Sequence, residues 1–372
     1  MTMIINFLTY NLLLFLVVFL TPGKIINDKN VVLLKDETNG FIWNTRLVIV
    51  LFLFMVVAGV REPYMGTDYI GYLDFYTYIL NHGYIGSHFQ GKEIGWDYLN
   101  LLFAKLGIPA EIFFGLIAGV MWYFFIKGSY KYQFLLPLML FFVISSSYLF
   151  WTFSGIRQSI AIMIFFYAIK FIIEKQLLHY VSFIFIASLF HTSVLILLPV
   201  YLFWKIKFSQ KFFFILYIVS ILLMGNDWFL SQIGNIITIL STKFDFISHY
   251  LFYIETSTFT VNEERTSSGL GVILKIMTTL YILYKSKFVL EKQPKLTIYF
   301  VLFMIGSILA NIFFSIEIIG RVLTYFQICF PIVIASTVYY STKKYEKIIA
   351  ILLMTAYILV MNVQIYRWNI IG

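Results

Sequence analysis

Long apolar runs alternate with short polar connections along the whole chain. Runs such as Leu47–Val60 and Phe134–Phe150 are continuous and lack the every-second-residue alternation of barrel strands. A bilayer core about 30 Å thick needs about 20 mostly apolar residues per helix. Backbone groups in lipid must be satisfied within a helix or a closed barrel. The pattern therefore predicts an all-α, polytopic transmembrane helix bundle. Spans read directly at residues 4–20, 41–60, 109–127, 134–151, 156–173, 211–225, 269–285, 296–315, 319–340 and 346–366.

Lysines mark one side of this bundle. They fall in the connections as Lys24/Lys29/Lys35, Lys127/Lys131, Lys170/Lys175, Lys205/Lys207/Lys211, Lys285/Lys287/Lys292/Lys295 and Lys343/Lys344/Lys347. Short lysine-bearing connections face the cytoplasm. All of them can do so only if the apolar stretch 177–204, lysine-flanked at both ends, enters and returns on one side. The expectation is a tight helical hairpin with its apex at Phe190-His191-Thr192-Ser193. Each arm reaches about 20 Å at 1.5 Å per residue. A single long helix through His191 is the rival, and it would place Lys205, Lys207 and Lys211 outside. With the hairpin, about 12 helices form a single integral membrane domain over residues 1–372. Both ends of the chain and two long loops, 61–108 and 226–268, then lie outside.

Composition agrees with this reading. The 372 residues are 61% hydrophobic and 20% aromatic, and only 12% are charged; mean hydropathy is +0.88. No soluble domain of this length hides so much apolar surface. Net charge is +9, which in a soluble protein would suggest nucleic acid. Here the lysines sit between spans and the positive-inside rule accounts for them, so no nucleic-acid partner is expected. The first apolar run follows no basic segment and precedes no small-residue cleavage site, so it reads as a retained helix and not a signal peptide. Cys329 is the sole cysteine and lies inside an apolar run, which excludes a disulfide frame or a cysteine metal site and leaves a buried core thiol. His82 and His88 share a loop with Glu93 but show no compact ligand spacing. No metal site and no cofactor are expected.

Arginine is distributed differently from lysine. Arg61, Arg157, Arg265, Arg321 and Arg367 all map outside or to outer helix ends, and only Arg46 is left inside. Arginine grips phosphate through two parallel N–H bonds and is less strongly hydrated than lysine, so the outer face reads as built for an anion. Arg157 follows Ser154-Gly155 at a helix start, where free N–H groups and the positive dipole end assist an anion site; snorkelling to headgroups is the competing role. Arg321 follows Glu317 by four residues, either as an exposed ion pair or as a guanidinium oriented toward a diphosphate. Lys275 reads as snorkelling.

The outer loops carry the remaining chemistry. Asp68 to Tyr76 interleaves carboxylates with aromatic rings, and Trp96–Leu106, Trp228–Leu240 and Phe244–Ile254 can lie as interfacial helices. Interfacial anchoring is one reading of these rings. A sugar platform is the other, with aromatic faces under pyranose rings and carboxylates on hydroxyls. His191, at the hairpin apex, is either a packing residue or a binding and proton-transfer group. Asp68, Asp74, Glu93 and Asp97 crowd the first loop, and any one of them could serve as a general base.

Several short motifs, in order, resemble the EpsG-like branch of the Wzy polysaccharide polymerases. They are Gly59-Val60-Arg61, Met65-Gly66-Thr67-Asp68-Tyr69, Glu93-Ile94-Gly95-Trp96 with Leu99-Asn100, Ser154-Gly155-Ile156-Arg157-Gln158, and Ala187 to Ser193. The resemblance covers residues 41–204, with a fainter match around Arg321. It implies a bacterial inner-membrane glycosyltransferase acting at the periplasmic face without a metal. Undecaprenyl-diphosphate-linked oligosaccharide would be both donor and acceptor, the nascent glycan passing to the non-reducing sugar of a new lipid-linked unit. Membrane lipid and a chain-length regulator protein are the other implied partners. Carried onto this chain, the catalytic candidates are Glu93, Asp68 and His191. The diphosphate candidates are Arg61, Arg157, Arg321 and Arg265, and the sugar candidates Tyr69, Tyr72 and Gln158. Glu93-Ile94-Gly95 departs from the family's frequent Glu-Pro-Gly. A flippase for the same lipid, and a glycan ligase or acyltransferase, are the alternatives; the near absence of non-loop charge in the inner half weighs against transport.

Overall fold

The computed structural model describes residues 2–22, 44–86, 93–226, 269–314 and 316–371, with isolated positions between 227 and 268. Every regular element among the described residues is helical: α1 (Thr2–Leu20), α2 (Thr45–Gly59), α3 (Tyr69–His82), α4 (Ile94–Lys105), α5 (Ala110–Gly128), α6 (Leu136–Ser145), α7 (Tyr148–Ser154), α8 (Ile156–Ile173), α9 (Leu177–Ser188), α10 (Gln210–Leu222), α11 (Leu270–Lys292), α12 (Thr297–Ile312), α13 (Glu317–Gln327), α14 (Phe330–Tyr339) and α15 (Lys344–Ile371). Short 3-10 segments precede α6 and α12, and a longer one covers Thr192–Lys205.

Among the described residues, five helices are individually long and apolar enough to cross a membrane, and up to seven crossings result if each of two bent pairs is one span. The chain is a multi-pass helical membrane protein. Residues 45–59, 177–188, 192–205 and 210–222 are apolar but shorter, and α11 is interrupted by Lys275, Lys285 and Lys287. The expected span at 134–151 is broken: residues 131–145 and 148–154 meet at 61°. Ser145-Ser146-Ser147 occupies the break, where hydroxyls compete for backbone partners, and Ser147 takes a left-handed φ of 66°.

The chain divides into two compact units, residues 1–204 with 334–372, and 205–333. In the first, α2 packs on α5, α5 on α8 and α8 on α9. Helix α8 is apolar all round and enclosed along most of its length, as a bundle-core helix should be. On the other side α1 packs against α6 and α15. Asn11 donates to Asn362 at 2.8 Å and Asn6 to Asn369 at 2.9 Å; such carboxamide pairs hold helices together where no hydrophobic drive operates between them. The outward faces of α1 and α15 remain apolar and exposed at Leu8, Leu12, Phe15, Ile351, Leu352 and Leu359, consistent with lipid as their solvent. In the second unit, α10 packs on α11 and α12, and α12 on α13; Asn311 donates to Ser220 at 3.0 Å in its core.

Stretch 177–204 is a hairpin. The Tyr180 hydroxyl donates to the Leu197 carbonyl at 2.6 Å, the rings of Tyr180 and Tyr201 lie 5.7 Å apart, and Lys175 sits 4.4 Å from the Trp204 ring. In one continuous helix residues 180 and 197 would be about 25 Å apart. The second arm, however, is 3-10 and not α-helical. Pro199 lies within it and has no N–H to give to an α-helical ladder. The tighter, longer-rising form also gives 14 residues a reach of about 28 Å.

Lysine and arginine occupy opposite ends of α8. Arg157 opens the helix and Lys170 lies in its last turn, about 20 Å away. Lys131 pairs with Glu174 at 3.2 Å just past the lysine end.

Candidate active site

Three short backbone locks bring the first loop against the start of α8 and the hairpin apex. Gly66 stands at φ +150°, and a Cβ there would lie 2.7 Å from the Phe153 carbonyl. The next residue, Thr67, donates its N–H to the Ser154 hydroxyl at 3.1 Å. Asp68, which precedes α3, is thereby fixed beside the α7–α8 junction. Gly155 separates those two helices, so Arg157 emerges from the first turn of α8.

The third lock joins α4 to the hairpin. The first N–H groups of a helix and the last carbonyls of another have no partner within their own helix. Here they satisfy each other: the Gly95 N–H, in the first turn of α4, donates to the Leu189 carbonyl after α9 at 2.8 Å. Only glycine allows that approach, since a Cβ at residue 95 would lie 2.7 Å from Leu189 Cβ and 2.8 Å from its carbonyl oxygen. Glu93, at the cap of α4, and His191, two residues beyond Leu189, are carried to the same place. Gly95→Ala is expected to force the two helices apart at a cost of about 1–3 kcal/mol. Thermal unfolding of the solubilised protein measures it; an unchanged midpoint would show that α4 and α9 yield freely here.

The side chains converge on Glu93. Its carboxylate is 8% exposed. One oxygen accepts from Arg157 Nη1, and the other meets His191 Nδ1 at 2.7 Å. A carboxylate only accepts, so Nδ1 carries the proton and Nε2 is the nitrogen left to accept one. Arg157 also places Nε 3.5 Å from the Tyr72 hydroxyl. Burial raises the Tyr72 pKa and the Arg157 charge opposes it, leaving a neutral phenol against the guanidinium. The Tyr72 ring in turn meets Trp96 edge-on at 5.4 Å.

Beside this chain of contacts opens a cavity of about 290 Å³. One face of α3 and its cap forms a wall, through Asp68, Gly71, Tyr72 and Phe75. Trp96 and Asp97 of α4 and Arg157 of α8 complete it. Rings, carboxylates and one guanidinium around a concave space suit a polar, ring-shaped ligand with hydroxyl groups.

Asp68, Tyr72, Glu93, Arg157 and His191 are thus gathered in one place. Of these, Asp68, Tyr72 and Arg157 line the cavity, while Glu93 and His191 are joined to it through Arg157 and are not among its lining residues; the lining also leaves out Arg61, Tyr69 and Gln158. Arg61 is buried: its Nη1 donates to the Ala58 carbonyl at the end of α2, and its guanidinium carbon lies 3.6 Å from the Tyr69 ring centroid and 4.7 Å from that of Phe153. Tyr69 is itself buried beneath it, and Gln158 is buried on α8. Arg321 is exposed on α13 in the second unit. Arg265, His88 and the interfacial stretches of loop 226–268 lie outside the described residues. Gly71, Phe75 and Trp96, which were not singled out individually but lie in the stretches read from the sequence as either interfacial anchors or a sugar platform, join the wall; positions 68, 71, 72 and 75 recur at i, i+3, i+4 and i+7, the spacing of one helical face.

The sequence profile of the EpsG family matches residues 44–370. The chain belongs to the EpsG family. That match spans both compact units, so this EpsG-family protein carries the family's sequence through α15 as well as around the cavity. The EpsG family is associated with exopolysaccharide biosynthesis. No curated protein and no solved structure matches the chain.

Proposed function

We propose that this EpsG-family protein is a membrane glycosyltransferase that polymerises undecaprenyl-diphosphate-linked repeat units at the outer face of the cytoplasmic membrane. The observation that carries the reading is the Arg157–Glu93–His191 chain, whose Arg157 lines a cavity walled by aromatic rings and carboxylates. By the positive-inside rule the lysine end of α8 is cytoplasmic, which puts Arg157 and the cavity outside.

The chemistry requires a hydroxyl of the acceptor's non-reducing sugar to attack the anomeric carbon of the donor glycan. The bond from that carbon to the diphosphate oxygen breaks, and its electron pair leaves with the diphosphate. His191 Nε2 takes the hydroxyl proton as the new bond forms. Both Glu93 oxygens are engaged, so the carboxylate acts as a holder: it fixes the imidazole tautomer and stabilises the imidazolium that forms, in the manner of a carboxylate behind a catalytic histidine. The remaining N–H groups of Arg157 supply charge-assisted bonds to the departing diphosphate. Tyr72, Trp96 and Asp68 position the sugar. Arg61, stacked between two rings, holds the loop that carries Asp68 and does not itself reach the cavity.

Deletion of the gene tests this. Surface glycan resolved on a gel should collapse from a ladder to a single-unit band. Complete loss of glycan from the cell surface would point to a flippase, and an unaltered ladder would end the polymerase reading.

A further inference from the structure

Tyr72 brings two different surfaces to the site. Its ring lies at the cavity wall and meets Trp96 edge-on at 5.4 Å. Its hydroxyl, at the tip, stands 3.5 Å from Arg157 Nε. A guanidinium only donates, so in this contact the phenol oxygen accepts and its own O–H is turned away from Arg157. Burial raises the Tyr72 pKa against the opposing charge of Arg157, and Asp68 and Glu93 raise it further; the phenol keeps its proton and remains a donor. Arg157 in turn is held from the start of α4. Glu93 and Asp97 stand one turn apart there, the Asp97 N–H donating to the Glu93 carbonyl at 3.1 Å. Glu93 binds Nη1, and Asp97 acts on the same guanidinium through its charge. The Tyr72 hydroxyl lies along the Nε edge of a fork whose direction is thus set. An O–H whose oxygen accepts from a cation is a stronger donor than an isolated phenol, because linked hydrogen bonds polarise one another. Beside a guanidinium, such a donor suits an oxygen carrying negative charge better than a neutral sugar hydroxyl.

We propose that the Tyr72 hydroxyl is a catalytic donor to the leaving diphosphate, working as a pair with Arg157. The assignment rests on the glycosyltransferase reading of the site and adds a reacting group to it. As the bond from the anomeric carbon to the diphosphate oxygen breaks, its electron pair passes to that oxygen. Tyr72 gives a hydrogen bond to the growing charge and keeps its proton, and Arg157 supplies the countercharge. The Tyr72 ring still lines the sugar's side of the cavity, so one side chain serves both ends of the bond that breaks.

Tyr72→Phe separates the two surfaces, since it keeps the ring and removes only the hydroxyl. The full-length protein in phosphatidylcholine nanodiscs is titrated calorimetrically with geranyl diphosphate, which carries the charge of the departing group, with empty nanodiscs as the blank. Methyl glucoside binding is followed in parallel by saturation-transfer NMR. Tyr72→Phe should weaken geranyl diphosphate about tenfold, the loss of one hydrogen bond to a charged group, and leave methyl glucoside as it was. In an Arg157→Gln background the same substitution should cost less than about threefold, because the hydroxyl has lost the partner that polarises it. Unchanged geranyl diphosphate affinity in Tyr72→Phe would overturn the proposal, as would a loss confined to methyl glucoside. So would a full tenfold loss in the Arg157→Gln background, or no binding of geranyl diphosphate by the unaltered protein. The polymerase reading fails on different evidence: the expected affinities, together with an intact surface ladder after gene deletion, would retain the donor pair and remove the polymerase.

Discussion

Arg157→Lys is expected to cut polymer output about a hundredfold, the loss typical of removing one preorganised donor from a charge-developing transition state, although the substitution keeps the charge. The guanidinium contacts the Glu93 carboxylate through Nη1 and approaches the Tyr72 hydroxyl through Nε, and its plane fixes the direction of its remaining donors. A lysine ammonium is one compact point on a flexible stem. It can pair with Glu93 or turn to a phosphate, but it does not hold both in a fixed geometry. Glycan length on a gel, measured at matched protein level in the membrane, gives the result. Near-normal ladders from the Arg157→Lys strain would mean that charge alone suffices and that the fork geometry is incidental.

Most of the membrane architecture is legible in the chain because hydrophobic run length is a direct readout of bilayer thickness. Residues 156–173 coincide with α8 to the residue. The hairpin is legible for a second reason: lysines at 175 and 205 bracket it, and positive charge resists crossing. Its internal form is less so. The second arm's 3-10 geometry depends on Pro199 and on the Tyr180 bond to the Leu197 carbonyl, a contact across 17 residues that no local pattern contains. The breaks that split 131–154 and 319–339 are similarly hidden, because apolar composition continues through them; in the first, the run of three serines is the only local sign.

The site divides along the same line. Short motifs place Glu93, Arg157 and His191 within reach of notice, since an ionisable group at a membrane span is a functional candidate by default. What joins them is tertiary. The Gly95–Leu189 bond links residues 94 positions apart, and Gly66 reaches Phe153; without these close approaches the three side chains would be unrelated. Arg61 shows how tertiary surroundings add to what the sequence offers. An arginine ending a span reads as an anion ligand, yet its surroundings are Tyr69, Phe153 and the Ala58 carbonyl, a setting visible only once α3 and α7 are folded against α2. Cation–π contacts with desolvated rings are worth about 2 kcal/mol, while the Nε and Nη2 of this guanidinium are buried without a hydrogen-bond partner.

Glu93 and His191 should behave as one unit when altered together. In the proposed mechanism His191→Asn removes the nitrogen that would take the proton, and a general base contributes about 10²- to 10⁴-fold. Glu93→Gln leaves His191 in place but offers an amide N–H toward one of two donors, Arg157 Nη1 or His191 Nδ1. Whichever donor loses its acceptor, the imidazole orientation or the arginine position is disturbed, and an unpaired charge remains beside a mostly buried group. Each single variant is therefore expected to lose most polymerisation. The double variant should lose little more than the worse single, because a holder has nothing to contribute once the group it holds is gone. Quantified ladders from the four strains of that cycle decide it. Losses that multiply would show that the carboxylate acts on substrate independently of the histidine, and the base would then have to be sought at Asp68 or at Glu93 itself.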